Sequence, residues 1–152
     1  MSCSTVSPNI FYDAIYHSRC PKIMNNHIKT VVNSIINECK ENTFEEIVYK
    51  VHSVSSPVKG IGRLGVYDLS NGICKKYGIN VNRVYIVGPG PKRAVKLLGL
   101  SVKLQRFGNF KMHYVEIYEV IAAFKVRGLS IITSNNGDDY ETYICEWQKG
   151  VI

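Results

Sequence analysis

Two glycine turns, each followed by positive charge, are the residues of this 152-residue chain best suited to binding chemistry. One turn reads Gly60-Ile61-Gly62-Arg63, and the other reads Gly88-Pro89-Gly90-Pro91-Lys92-Arg93. Paired glycines let the backbone turn with no Cβ in the way, and unpaired amides at a helix start attract anions. We therefore predict phosphate binding here. The candidate nucleic-acid-binding residues are Lys59, Gly60, Ile61, Gly62, Arg63, Gly88, Gly90, Lys92, Arg93 and Lys96.

The positive charge of the chain is concentrated around these two turns. The whole chain has 19 Lys and Arg against 12 Asp and Glu, a net charge of +7. Residues 57–111 alone contain eleven basic residues and one acid, Asp68, whereas residues 1–56 are neutral and residues 112–152 have a net charge of −3. A basic segment of this kind favours a polyanionic partner such as nucleic acid.

The segment resembles the helix-hairpin-helix motif of proteins that bind DNA without sequence specificity. The match is closer at Gly88-Pro89-Gly90-Pro91-Lys92-Arg93-Ala94, where Leu97 and Leu98 take the packing positions of the second helix. The first copy has Gly65-Val66 where a small residue such as alanine is usual. Together the two copies cover about residues 43–100. The resemblance implies a tandem arrangement in which two hairpins hold successive phosphates.

A second resemblance is to small bacterial proteins with an Ile-Gly-x-Leu-x-x-Tyr-Asp run. Its counterpart here begins at Ile61-Gly62 and is followed by Val84-Tyr85 and by Leu98-Gly99-Leu100. It implies that the basic segment is one unit, and it implies no activity.

A dinucleotide site is disfavoured, although residues 60–65 do spell Gly-x-Gly-x-x-Gly. That fingerprint needs a strand leading into the first glycine and an acid about 20 residues further on. Here the lead-in contains Pro57, and no Asp or Glu lies near Tyr85.

Catalysis is also disfavoured. In lyase-type DNA glycosylases with this hairpin, a lysine takes the place of Lys92 and an aspartate follows within about twenty residues. Between Lys92 and Asp138 this chain has no aspartate, and its acids there are Glu116 and Glu119. We therefore predict no enzymatic activity, no catalytic residue and no cofactor.

A zinc site is not indicated, because His17, Cys20, His27 and Cys39 lack the paired close spacings of structural zinc ligands. The five widely spaced cysteines, with no secretory signal, are typical of reduced thiols inside the cell. No apolar run is long enough to span a membrane, which predicts a soluble protein. Tyr67, Tyr77 and Tyr85 could stack on bases, but half-buried core positions are favoured.

Hydrophobic periodicity predicts a mainly α fold (α+β overall). After a loose tail over residues 1–25, one domain of residues 26–152 has its helix-hairpin-helix core at about residues 43–100. Helices are expected over residues 26–40, after a capping box at Thr43 and Glu46, and over residues 66–77, 91–98 and 111–126. A strand pair is an alternative for the last of these. Asn136-Gly137 predicts a C-terminal β-hairpin.

The resulting hypothesis is non-sequence-specific binding of DNA through its phosphates. Duplex DNA is favoured over single-stranded DNA, RNA stays open, and the acidic C-terminal region could contact a protein partner. The alternatives are a protein-interaction module, a non-catalytic subunit of a DNA-processing complex, and a small nucleic-acid-processing enzyme.

Overall fold

The computed structural model describes residues 30, 32–57 and 61–151, which divide into two compact units. The helical unit comprises the described residues up to Ile79 together with Phe107–Phe110. The mixed unit comprises Asn80–Arg106 and the described residues from Lys111 onward. The predicted tail over residues 1–25 lies outside the described residues.

The helical unit contains a 3-10 helix, Ile36–Cys39, and two α-helices, α1 (Phe44–Ser55) and α2 (Arg63–Tyr77). The predicted capping box of α1 is confirmed. The Glu46 amide donates to the Thr43 hydroxyl at 3.2 Å, and the Thr43 amide donates to the Glu46 carboxylate at 2.9 Å. These bonds satisfy orphan first-turn donors, and they lower the pKa of Glu46.

Helix α2 is the buried helix of this unit. Every residue from position 65 to position 74 is buried, and the ring of Tyr67 meets that of Phe44 edge to face at 5.9 Å. The helix ends at Gly78, whose φ of 68° needs a residue without a Cβ. The helix predicted over residues 66–77 is thus confirmed, with its start three residues earlier.

The mixed unit is built from a small sheet and three helices. Its elements are β1 (Val84–Ile86), α3 (Pro89–Leu97), β2 (Lys103–Phe107), β3 (Phe110–Val115), α4 (Ile117–Val126) and α5 (Gly137–Gln148). The strand order is β1-β3-β2, and β1 is antiparallel to β3 with Tyr85 opposite Tyr114. The tip of the β2–β3 hairpin belongs to the helical unit, where Phe110 stacks on His52 at 4.7 Å.

The core of the mixed unit joins one face of β1 and β3 to all three helices. Helix α5 contacts α3, β1 and α4, so it is the element against which the others pack. The buried residues of this core are Val84, Ile86, Ala94, Val95, Leu98, Val115, Val120, Ala123, Phe124, Tyr140 and Ile144.

The helix predicted over residues 111–126 is wrong in its first third, which forms a strand. Residues 111–115 belong to β3, and the helix α4 begins only at Ile117. Phe110 and Met112, two residues apart, are buried on one face of the strand, and Val115 is buried on the other, as in a strand and not in a helix. Phe110, Tyr114 and Val115 are also residue types that favour a sheet. Glu116 then caps α4 together with Glu119.

The predicted C-terminal β-hairpin is also wrong, because residues 137–148 form the helix α5. The side chain of Asn136 accepts the amide of Asp138 at 3.3 Å, as an N-cap residue does. The same oxygen accepts the amide of Val81 at 3.0 Å. Tyr140 and Ile144, four residues apart, then bury one helical face in the core.

Gly137 allows the start of α5 to pack closely against the backbone of residues 81–83, and it does not form a hairpin turn. The Gly137 amide donates to the carbonyl of Val81 at 2.5 Å, and a Cβ on Gly137 would collide with the backbone carbonyl of Arg83. Backbone cannot move aside as a flexible side chain can. The hairpin turn predicted from Asn136-Gly137 is therefore wrong, since Asn136 caps a helix and Gly137 is its first residue.

The described part of the chain is a mixture of helices with a three-stranded antiparallel sheet. None of its helices is both long and apolar enough to cross a membrane.

We predict that Gly137→Ala destabilises the protein by at least about 2 kcal/mol, because the added methyl group overlaps a fixed carbonyl. Gly62→Ala is the matched control, since no atom lies within 4 Å of its added Cβ, and its cost is at most about 1 kcal/mol of capping. Urea unfolding followed by circular dichroism measures both. Equal stability of the two variants would contradict the close-packing role.

Candidate phosphate-binding site

The first glycine turn leads into the N-terminus of α2. Gly62 is its exposed N-cap residue, and the exposed Arg63 is its first residue, with Ile61 half-buried before them. Lys59 and Gly60 lie outside the described residues. Among the described residues no side chain caps this helix, and its first turn contains no acid.

The start of α2 has the properties of an anion site. Its ladder begins with the amide of Val66 donating to Gly62 at 3.0 Å, so the amides of the three preceding residues have no acceptor within the helix. The helix dipole adds partial positive charge there, and the Arg63 guanidinium adds a full charge. Space around Gly62 is open.

The second glycine turn differs from its expected form. It is entered from the strand β1 and not from a helix, and Gly88 is the N-cap residue of α3. Pro89 takes the first helical position, so the prediction of Pro91 at that position is wrong. Gly90 is accordingly the second residue of the helix and lies past the turn.

These positions reduce the number of free amides at the start of α3. Pro89 and Pro91 have no N–H, and the amide of Lys92 already donates to the carbonyl of Gly88 at 3.2 Å. Only Gly88 and Gly90 can offer backbone donors. The α3 turn is therefore a poorer amide cradle than the start of α2.

Gly90 also has a packing role that its sequence context did not reveal. A Cβ at this position would collide with the sulfur of Cys145 on α5, with Gln148 close behind. The missing side chain lets α3 approach α5 closely.

The strongest feature of the site is the exposed side of α3. Lys92, Arg93 and Lys96 are all exposed, while Pro91, Ala94 and Val95 are buried on the opposite side. No salt bridge or side-chain hydrogen bond within the described residues engages these three cations. We call them the basic face of α3. Its charges are available to a ligand.

Two other basic residues of the central segment are already engaged. Arg83 contacts Glu116 at 3.1 Å, donates to Gln105 at 2.9 Å and lies 4.1 Å above the ring of Tyr114. Lys103 contacts Glu119 at 2.6 Å, and this contact lowers the pKa of Glu119.

The surroundings of Arg83 form a polar cluster that sequence reasoning missed. The Tyr85 hydroxyl donates to the same Gln105 oxygen at 2.8 Å. The residues of this cluster come from all three strands and from the positions that flank β1 and β3. They are far apart in the sequence, so no short sequence motif predicts the cluster. Because its donors and acceptors satisfy one another, the cluster has a structural role.

The tyrosines considered for base stacking are not available as a group. Tyr67 and Tyr85 are fully buried, and Tyr77 is half-buried with its hydroxyl donating to Ile36 at 3.0 Å. The exposed tyrosines of the described residues are Tyr49, at 56%, and Tyr118, at 69%. No sequence signal distinguished Tyr118.

Metal-binding and thiol chemistry have few candidates. In the part of the chain that the structure describes, no three His, Cys, Asp or Glu residues converge as metal ligands do. His17, Cys20 and His27 lie outside that part. Cys39 and Cys74 are buried, and burial raises the pKa of Cys39. Cys145 is disulfide-bonded, which differs from the expected reduced state.

The chain matches no protein-family model, no curated protein and no solved structure. The helix-hairpin-helix resemblance therefore stays a prediction. Helices lie on both sides of the first glycine turn, and a strand and a helix lie on the two sides of the second.

We predict that Gly90→Ala lowers stability by about 1–3 kcal/mol through overpacking against Cys145. In a Cys145→Ala background the sulfur and its disulfide are both gone, so most of the cost of Gly90→Ala should disappear when it is measured relative to Cys145→Ala alone. Denaturant unfolding of both single variants and the double variant gives the coupling between the two positions. An equal cost of Gly90→Ala in both backgrounds would show that the contact does not restrict this position.

Proposed function

We propose that this protein binds DNA through its phosphate backbone, without sequence specificity and without catalysis of its own. The observation that carries the proposal is the basic face of α3, where Lys92, Arg93 and Lys96 share one exposed surface and have no acidic partner among the described residues. Arg63 and the amides at the start of α2 supply a separate phosphate contact on the helical unit.

The chemistry of these groups explains why the binding is non-specific. Lys, Arg and helix N-termini contact phosphate oxygens, which are the same at every base pair. Such contacts supply most non-specific affinity through counterion release. The described side chains that could read base edges near Arg83, such as Gln105, are instead bonded to protein groups. Low base selectivity follows.

We predict a linear decrease in log affinity with log salt concentration, with a slope of about −3 to −4 on duplex DNA. This value corresponds to three or four neutralised phosphates at roughly 0.9 each. Fluorescence anisotropy with two unrelated duplexes of equal length measures the slope and the selectivity. A flat salt dependence, or affinities that differ strongly between the duplexes, would contradict the proposal.

We predict that the triple variant Lys92→Ala, Arg93→Ala, Lys96→Ala reduces the magnitude of that slope by about 3 and weakens binding at least 10-fold at about 100 mM salt. The matched control removes three exposed lysines away from α3 and α4, Lys40, Lys76 and Lys111. Both variants have the same net charge. A similar loss in both would assign binding to overall charge and not to α3.

The two other classes of function give different results in the same preparation. A protein-interaction module would show no measurable binding to DNA even at low salt. A small nuclease or lyase would convert labelled DNA in the presence of divalent metal, with a yield that rises with protein concentration. Either result would replace the proposal.

A further inference from the structure

An apolar groove lies between α4 and the residues that follow α3. Its volume is about 350 Å³, and its walls are mainly aliphatic. The ring of Tyr118 is its one aromatic wall, and both Tyr118 and Val126 are strongly exposed, at 69% and 84%. The lining residues are Leu98, Leu100, Tyr118, Glu119, Ala122, Ala123, Val126 and Arg127. Exposed apolar surface of this kind often marks a binding site.

The groove is held in shape by Arg127. Its guanidinium donates to the carbonyl of Ala123 and to the carbonyl of Leu98, both at 3.0 Å. It therefore ties the end of α4 to the end of α3. The two walls of the groove are fixed with respect to each other before any ligand binds.

The charges around the groove favour an anionic ligand. Its one acid, Glu119, is paired with Lys103 at 2.6 Å and accepts the amide of Glu116 at 3.0 Å. Its negative charge is thus largely balanced. Lys96 on α3 and Lys125 on α4 are exposed on the two helices that border the groove. A ligand with a flat apolar part and neighbouring negative charge complements this surface.

The basic face of α3 leads toward this groove along the chain. Lys92 and Lys96 are one helical turn apart, or about 6 Å along the axis. Leu98 and Leu100 follow directly and line the groove. A phosphate backbone that follows α3 toward its C-terminus reaches the end of the helix that borders the groove.

We propose that the ligand of this surface is single-stranded nucleic acid, with a base stacked on Tyr118 in the groove and the backbone on Lys92, Arg93 and Lys96. This proposal rests on the proposed phosphate binding and adds the form of the strand to it. Stacking on an aromatic ring beside a positively charged surface is how proteins bind single strands without reading sequence.

A single strand fits this surface better than a duplex. In a duplex, each base is paired and stacked on its neighbours, and no base face is free to meet Tyr118 without the cost of unstacking. The groove also adds no further polar group that could read a base edge, apart from Glu119 and Arg127, which are already bonded. The expected selectivity is therefore for strand form and not for sequence.

The test compares three labelled probes of about 12 nucleotides: oligothymidine, an abasic strand with the same phosphates, and a duplex. The wild-type protein should bind oligothymidine about 5- to 150-fold tighter than the abasic strand, as expected for one stacked base. Tyr118→Ala should remove this difference without weakening abasic binding, and Tyr118→Trp should restore it. Tyr49→Ala, at an exposed tyrosine of the helical unit, is the matched control and should behave as wild type.

The outcomes separate this inference from the proposed function. If no probe binds at low salt, the phosphate-binding proposal fails and this inference fails with it. If the abasic strand or the duplex binds as tightly as oligothymidine, phosphate binding stands and the groove does not take a base. If Tyr118→Ala instead changes the molecular mass by sedimentation without nucleic acid, the groove is a contact between copies of the chain, and the inference is wrong.

Discussion

The close approach of α5 to the rest of the mixed unit is the constraint on which the site depends. Two glycines permit it, since a Cβ on Gly137 would meet the carbonyl of Arg83 and a Cβ on Gly90 would meet Cys145. With α5 in this position, the apolar side of α3 is buried against it. The basic side chains on the opposite side of α3 are therefore exposed to solvent. The exposed basic surface is thus a consequence of packing on the opposite side of the same helix.

The structure divides the positive charge of the central segment into two kinds. Arg83 and Lys103 are paired with Glu116 and Glu119, acids from the region of net negative charge. These pairs stabilise the sheet and the start of α4, and they contribute little to a field outside the protein. The cations of α3 have no such partner in the part of the chain that the structure describes. The net charge of residues 57–111 therefore overstates the number of cations that a ligand can contact, because Arg83 and Lys103 are held in ion pairs.

Local signals in the sequence predicted local structure well. The Thr43 and Glu46 pair predicted the start of α1, and the glycine after Tyr77 predicted the end of α2, because both effects act within a few residues. The basic residues of α3 were also found from their pattern.

Predictions of structure that depends on contacts between residues distant in the chain were wrong or missing. Asn136-Gly137 is typical of a hairpin, but its asparagine caps a helix and its glycine admits a carbonyl from Arg83, about fifty residues earlier in the chain. The groove beside Tyr118 likewise joins two helices that no spacing rule connects.

The two prolines at the start of α3 have a consequence for the dynamics of the site. Proline fixes φ near the helical value in the unfolded chain as well as in the folded one. The φ angles of Pro89 and Pro91 are therefore fixed before the first turn of α3 forms, whereas Gly90 between them loses its freedom on folding. Lys92 and Arg93 extend from a backbone that Pro89 and Pro91 partly fix. Less backbone entropy is therefore lost when these two side chains contact a ligand. Pro89 and Pro91 thus remove two backbone donors from this turn, and they also restrict the backbone that carries Lys92 and Arg93.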